Sequence, residues 1–83
     1  MSDKSKFGSL YIVATPIGNP EDITLRALSV LANVDSVICE ELKEGSKLLH
    51  SLKINSKLIP LNEHNEEEVI QGIIIELMAG KSF

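Results

Sequence analysis

The sequence predicts an α/β fold, with a mostly parallel sheet flanked by helices. Three observations carry this. Short apolar runs rich in β-branched residues alternate with segments of helical period, three times in succession. Clusters of Gly, Pro and Asn punctuate the changes of period. The last helical segment carries a stripe of Val69, Ile70, Ile73, Ile74, Leu77 and Met78 at i, i+3, i+4 spacing. Strand, helix, strand at this spacing makes right-handed βαβ units, so the strands run parallel.

The elements follow in order. Leu10-Tyr11-Ile12-Val13-Ala14 is a buried strand, closed by the turn-rich Thr15-Pro16-Ile17-Gly18-Asn19-Pro20. Ile23 to Val34 forms a helix with Ala27, Leu28, Leu31 and Ala32 on one face, Asp22 or Thr24 at its N-cap and its end near Asn33. Ser36-Val37-Ile38-Cys39 is the second strand. Gly45 opens a short helix through Lys47, Leu48, Leu49 and Leu52. Lys57-Leu58-Ile59-Pro60-Leu61 is the third strand, weakened at Pro60, which has no N–H for a ladder. The third helix begins with Glu66, Glu67 and Glu68, where negative charge suits the macrodipole, and stops at Gly80. Lys81-Ser82-Phe83 starts a fourth strand. The expected organisation is a flexible N-terminus over 1–9 and one domain over 10–83, incomplete because it is truncated before or within that strand.

Size and charge set the outer limits. Eighty-three residues make at most one small domain, and such a chain buries only about 60–65% of its unfolded surface. Eight Lys+Arg against twelve Asp+Glu leave a net charge of −4, which opposes this chain alone gripping a phosphate backbone. A single cysteine excludes an internal disulfide and suits a reducing compartment, so the expected location is cytoplasmic. No apolar run approaches a membrane span, and the polar start Met1-Ser2-Asp3-Lys4 is no signal peptide.

In open α/β sheets ligands bind outside the carboxyl ends of the strands. Three loops meet that condition: Thr15 to Asp22, Glu40 to Gly45, and Asn62 to Asn65. The first has neither G-x-G-x-x-G nor G-x-x-x-x-G-K-[ST], so it is no standard nucleotide-phosphate cradle. Glu40 and Glu41 could hold a hydroxyl or an amine, or act as a base if desolvated; a solvated loop is the plainer alternative. His64 has no His, Cys or Asp at ligand spacing, so no metal site is expected. Asn65 is as suited to capping the third helix as to touching a substrate. Cys39 is expected to be a small buried hydrophobe.

Leu10 to Asn19 together with Glu21-Asp22-Ile23-Thr24-Leu25-Arg26-Ala27-Leu28 resembles the N-terminal signature of the tetrapyrrole methylase (corrin/porphyrin methyltransferase) family. The resemblance is closest to its small-subunit ribosomal RNA (cytidine-2′-O)-methyltransferase branch. Val37-Ile38-Cys39-Glu40 and Glu63-His64-Asn65-Glu66 fit that branch in order and spacing, so the resemblance covers about residues 10–83. It implies an S-adenosylmethionine-dependent homodimer holding its cofactor between two α/β domains, with the main cofactor loop beyond Phe83. By matched position, Pro16 would lie near the cofactor. Thr15, Ile17, Gly18, Asn19, Glu40, His64 and Asn65 would lie on the substrate side; the catalytic residue stays unassigned.

The chain departs from the branch at Glu41-Leu42-Lys43, where the family usually has an acidic residue, then Thr and Arg. Lysine offers a point charge in place of the planar fork of arginine. The function implied is that of part of a ribosomal RNA ribose 2′-O-methyltransferase, inactive alone. A tetrapyrrole C-methyltransferase and a non-catalytic dimerising or binding module remain open as alternatives.

Overall fold

The computed structural model describes residues 7–15 and 19–83. Asn19 leads into a short 3₁₀ helix, Pro20–Asp22, its carboxamide accepting from the Glu21 N–H at 3.0 Å. Helix α1 then spans Leu25–Asn33, and Thr24 is its N-cap, its hydroxyl accepting from the Ala27 N–H at 3.1 Å. The helix is thus two residues shorter at its start than its periodicity predicts, because the Thr24 cap and the Pro20 turn hold Ile23 extended.

Strand β1 (Ser36–Cys39) and strand β2 (Lys57–Pro60) pair in parallel, with Ser36 opposite Lys57 and Cys39 opposite Pro60. The Leu61 N–H donates to the Cys39 carbonyl at 2.7 Å. Alternation along β2 therefore turns Leu61 and Ile59 toward β1 and Pro60 away from it. That is why a proline is tolerated here: its missing N–H faces the outer edge, where no described strand pairs with it.

Helix α2 spans Leu42–Ser51. It starts three residues before Gly45, where the sequence places its beginning. Gly45 sits inside the helix because α2 packs there on β1: a Cβ at Gly45 would fall 2.8 Å from Cys39 Sγ and 3.4 Å from Leu58 Cδ2. Lys53, at φ 59°, then reverses the chain toward β2. Ser56 Oγ donates to the Leu31 carbonyl at 3.0 Å, tying the approach to β2 to the end of α1.

Helix α3 spans Glu66–Met78, with the three glutamates in its first turn as the sequence predicts. Gly80, at φ 97°, ends it. The chain then meets its own beginning. Gly8 N–H donates to the Leu77 carbonyl at 2.8 Å, Phe83 N–H to the Ser9 carbonyl at 3.0 Å, and Tyr11 N–H to the Phe83 carbonyl at 2.8 Å. The last pair is a parallel bridge between Leu10 and Phe83. On the other side of this segment, Asp35 N–H donates to the Ser82 carbonyl at 2.9 Å, while the Asp35 carboxylate accepts from the Ser82 N–H at 2.8 Å.

The regular sheet therefore has two strands, and Leu10–Ala14 forms no ladder long enough to be a strand. Among the described residues it is bonded to Phe83 through the one bridge at Leu10. The small core follows the same logic. Leu31, Leu49, Ile73 and Phe83 are buried, the last only 4% exposed, whereas Ile12 is 97% exposed.

Candidate functional site

The carboxyl ends of β1 and of the extended segment 9–15 open into one groove of about 1200 Å³. Its walls are apolar: Tyr11 and Val13 from the first segment, Val30 and Leu31 from α1, Val37 and Ile38 from β1, Ile73 and Leu77 from α3. Its polar rim is Thr15, Glu40, Glu41, Glu44 and Lys47. Glu40 follows directly on β1, and Glu41 occupies the N-cap position of α2 without a side-chain capping bond. Both carboxylates are exposed.

Glu44 and Lys47 are rim residues that the sequence leaves unmarked. Part of their signal was present in the spacing, since Glu44 and Lys47 are three apart, on one face of a helix. It becomes legible only once α2 starts at Leu42 rather than Gly45.

The remaining candidates are not all gathered here. His64 and Asn65 line a separate shallow depression with Glu63 and Glu66 to Glu68. His64 is exposed and its Nε2 lies 3.8 Å from Glu63 Oε1, a solvent-screened pair. Asn65 stands at the N-cap position of α3 but makes no side-chain capping bond. Its carboxamide is used elsewhere: Oδ1 accepts from the Asn62 N–H at 2.8 Å and Nδ2 donates to the Pro60 carbonyl at 3.0 Å. Asn62 Oδ1 in turn accepts from the His64 N–H at 2.9 Å. Asn65 thus staples the β2–α3 loop and sets the position of His64. Asn19 is likewise committed to its own turn. Pro16, Ile17 and Gly18, three residues of the first candidate loop, lie outside the described residues.

Cys39 lies half-buried at the wall of the groove, and burial pushes its thiol above the ordinary value. A thiol held neutral is a poor nucleophile, which matches its expectation as a packing residue. Among the described residues no group of three or more His, Cys, Asp or Glu could hold a metal ion. Among them, too, no helix is long and apolar enough to cross a membrane.

Comparison with known proteins adds what geometry alone does not give. Residues 9–82 match the family model described as Tetrapyrrole (Corrin/Porphyrin) Methylases. The chain is 45% identical over 82 residues to a Leptospira biflexa protein named ribosomal RNA small subunit methyltransferase I, covering 99% of this chain and 34% of that protein. Proteins of the same name from Bacillus subtilis and Vibrio cholerae are 43% and 47% identical, with 95% and 88% of this chain covered. Those alignments cover 27% and 25% of the two relatives. The chain thus spans between a quarter and about a third of the length of these curated relatives.

Proposed function

The chain belongs to the tetrapyrrole (corrin/porphyrin) methylase family, and from that premise we propose that it is part of an S-adenosylmethionine-dependent methyltransferase acting on small-subunit ribosomal RNA. One observation carries the choice of substrate: the relatives at 43–47% identity, matched over nearly all of this chain, are named for that reaction. The resemblance of the Ala14–Asn19 and His64-Asn65 stretches to the ribose 2′-O-methylating branch supports a cytidine 2′-hydroxyl as the acceptor. A cytoplasmic homodimer is part of the same proposal.

The rim chemistry fits the cofactor's class. Three carboxylates and a hydroxyl accept from ribose hydroxyls or an ammonium group, and no phosphate cradle is needed for a sulfonium compound. S-adenosylmethionine, when bound, supplies an electrophilic methyl group. The task left to the protein is to hold acceptor and methyl in line, so positioning carries most of the rate. Glu40, on the end of β1, would hold hydroxyls at the groove mouth, with Thr15 across from it. Asn65 would act indirectly by fixing the loop that presents His64. By the resemblance alone, Pro16 remains the proposed cofactor neighbour.

The test uses the protein that carries this chain, S-adenosylmethionine labelled in its methyl group, and small-subunit ribosomal RNA lacking 2′-O-methylcytidine. Label should enter the RNA at a ribose. Transfer to a corrin or porphyrin with none to RNA would replace the RNA assignment by a tetrapyrrole one. The 83-residue chain alone should show no cofactor affinity tighter than roughly millimolar, about 4 kcal/mol of binding free energy.

A further inference from the structure

We propose that the outer face of α2 holds the phosphate backbone of an RNA strand, with Lys43 and Lys47 as its two contacts. The proposal rests on the RNA assignment and adds the surface that grips the strand. At about 100° per residue, Lys43, Lys47 and His50 fall within about 60° of one another, and all three are exposed. The opposite side of the helix holds Gly45 and the buried Leu49, where Gly45 closes on Cys39 and Leu58. Lys47 also lines the groove rim, so the stripe starts at the mouth of the site.

The charge of the chain is segregated. Lys43, Lys47, Lys53 and Lys57 are half of its eight Lys+Arg, and Glu44 is the one carboxylate between Leu42 and Asn62. Lys53 and Lys57, both exposed, add positive potential where α2 ends and β2 begins. A net charge of −4 opposes phosphate over the chain as a whole. A single basic face escapes that objection, because counterions are released only where cations meet phosphates.

The fold itself does not call for these two lysines. Lys43 is the second residue of α2, where the positive end of the helix macrodipole disfavours a cation. His50, in the last turn, suits the dipole; Lys43 opposes it. Glu44 stands three residues before Lys47, yet among the described residues no ion pair engages Lys43 or Lys47. A cation kept against local preference, with no internal partner, is available to an external anion. The spacing suits a phosphate chain. Lys43 and Lys47 stand about 6 Å apart along the axis, close to the rise of two stacked nucleotides on one strand, about 7 Å.

The test measures binding of the protein that carries this chain to small-subunit ribosomal RNA lacking 2′-O-methylcytidine, over about 50 to 200 mM salt. Lys43→Ala together with Lys47→Ala should weaken binding about tenfold or more at the lowest salt. It should also lower the slope of log affinity against log salt by about 1.4, the share of two phosphates on a single strand. Lys43→Arg with Lys47→Arg keeps both charges and should keep the slope. The alanine variant should unfold at no lower temperature than the parent, since Lys43→Ala relieves the start of α2, so the loss is one of contact. Unchanged affinity and slope in the alanine variant would overturn the proposal. So would a loss of binding to polyglutamate with none to RNA, which would assign the face to an acidic protein. Methyl transfer is read separately: label entering RNA with an unchanged slope refutes this surface alone, whereas no label in RNA refutes the RNA assignment.

Discussion

Gly8→Ala tests whether the meeting of the chain's two ends holds this domain together. The Gly8 φ angle is not positive, so backbone conformation does not require glycine there. Space does. A Cβ at Gly8 would fall 1.6 Å from the Lys81 carbonyl oxygen and 2.3 Å from its carbonyl carbon. Both are backbone atoms and cannot swing aside as a flexible side chain can, so the two segments must separate.

Separation breaks the bonds that join them: Gly8 to Leu77, Ser9 to Ser82 Oγ, Phe83 to Ser9, and Tyr11 to Phe83. At about 0.5 kcal/mol each, the low end suited to partly exposed bonds, they contribute about 2 kcal/mol. Exposing Phe83, now 4% accessible, costs about 1.5–3 kcal/mol more. Alanine returns about 0.4–1 kcal/mol by restricting the unfolded chain. The net expectation is a loss of about 3–4 kcal/mol, much of the total that a chain of this length commonly holds. Urea denaturation followed by circular dichroism measures it, and amide exchange at Phe83 and Tyr11 locates it. A G8A chain within about 0.5 kcal/mol of the parent, with Phe83 equally protected, would refute the reasoning.

Three further substitutions probe separate contacts. Gly72→Ala is the counterpart of G8A: a Cβ at Gly72 meets nothing within 4 Å, so thermal unfolding should show a gain of about 0.5–1 kcal/mol. Gly45→Ala pushes a Cβ to 2.8 Å from Cys39 Sγ and should destabilise by about 1–2 kcal/mol. Adding Cys39→Ala should recover more of that loss than the two single changes predict, a coupling read from the double-mutant cycle. Asn65→Ala removes both bonds of the loop staple and should cost about 1–2 kcal/mol. Asn65→Asp, which can still accept from Asn62, should cost less, and the reverse order in denaturant would show that the Pro60 bond is the important one.

Where the signal was local, the sequence located the elements closely. Ser36–Cys39, the glutamate start of α3 and its glycine stop stand where periodicity and helix-end chemistry place them. The start of α2 was hidden because Gly45 resembles a helix boundary, and only its packing on Cys39 explains a glycine within the helix. Leu10–Ala14 has the composition of a strand, but a ladder needs a neighbour, and pairing is not written in the strand's own residues. The same limit applied at the loops. Residue type marked Asn65 as a cap or a contact, and its use as a staple between Asn62 and Pro60 depends on a loop conformation no spacing rule encodes.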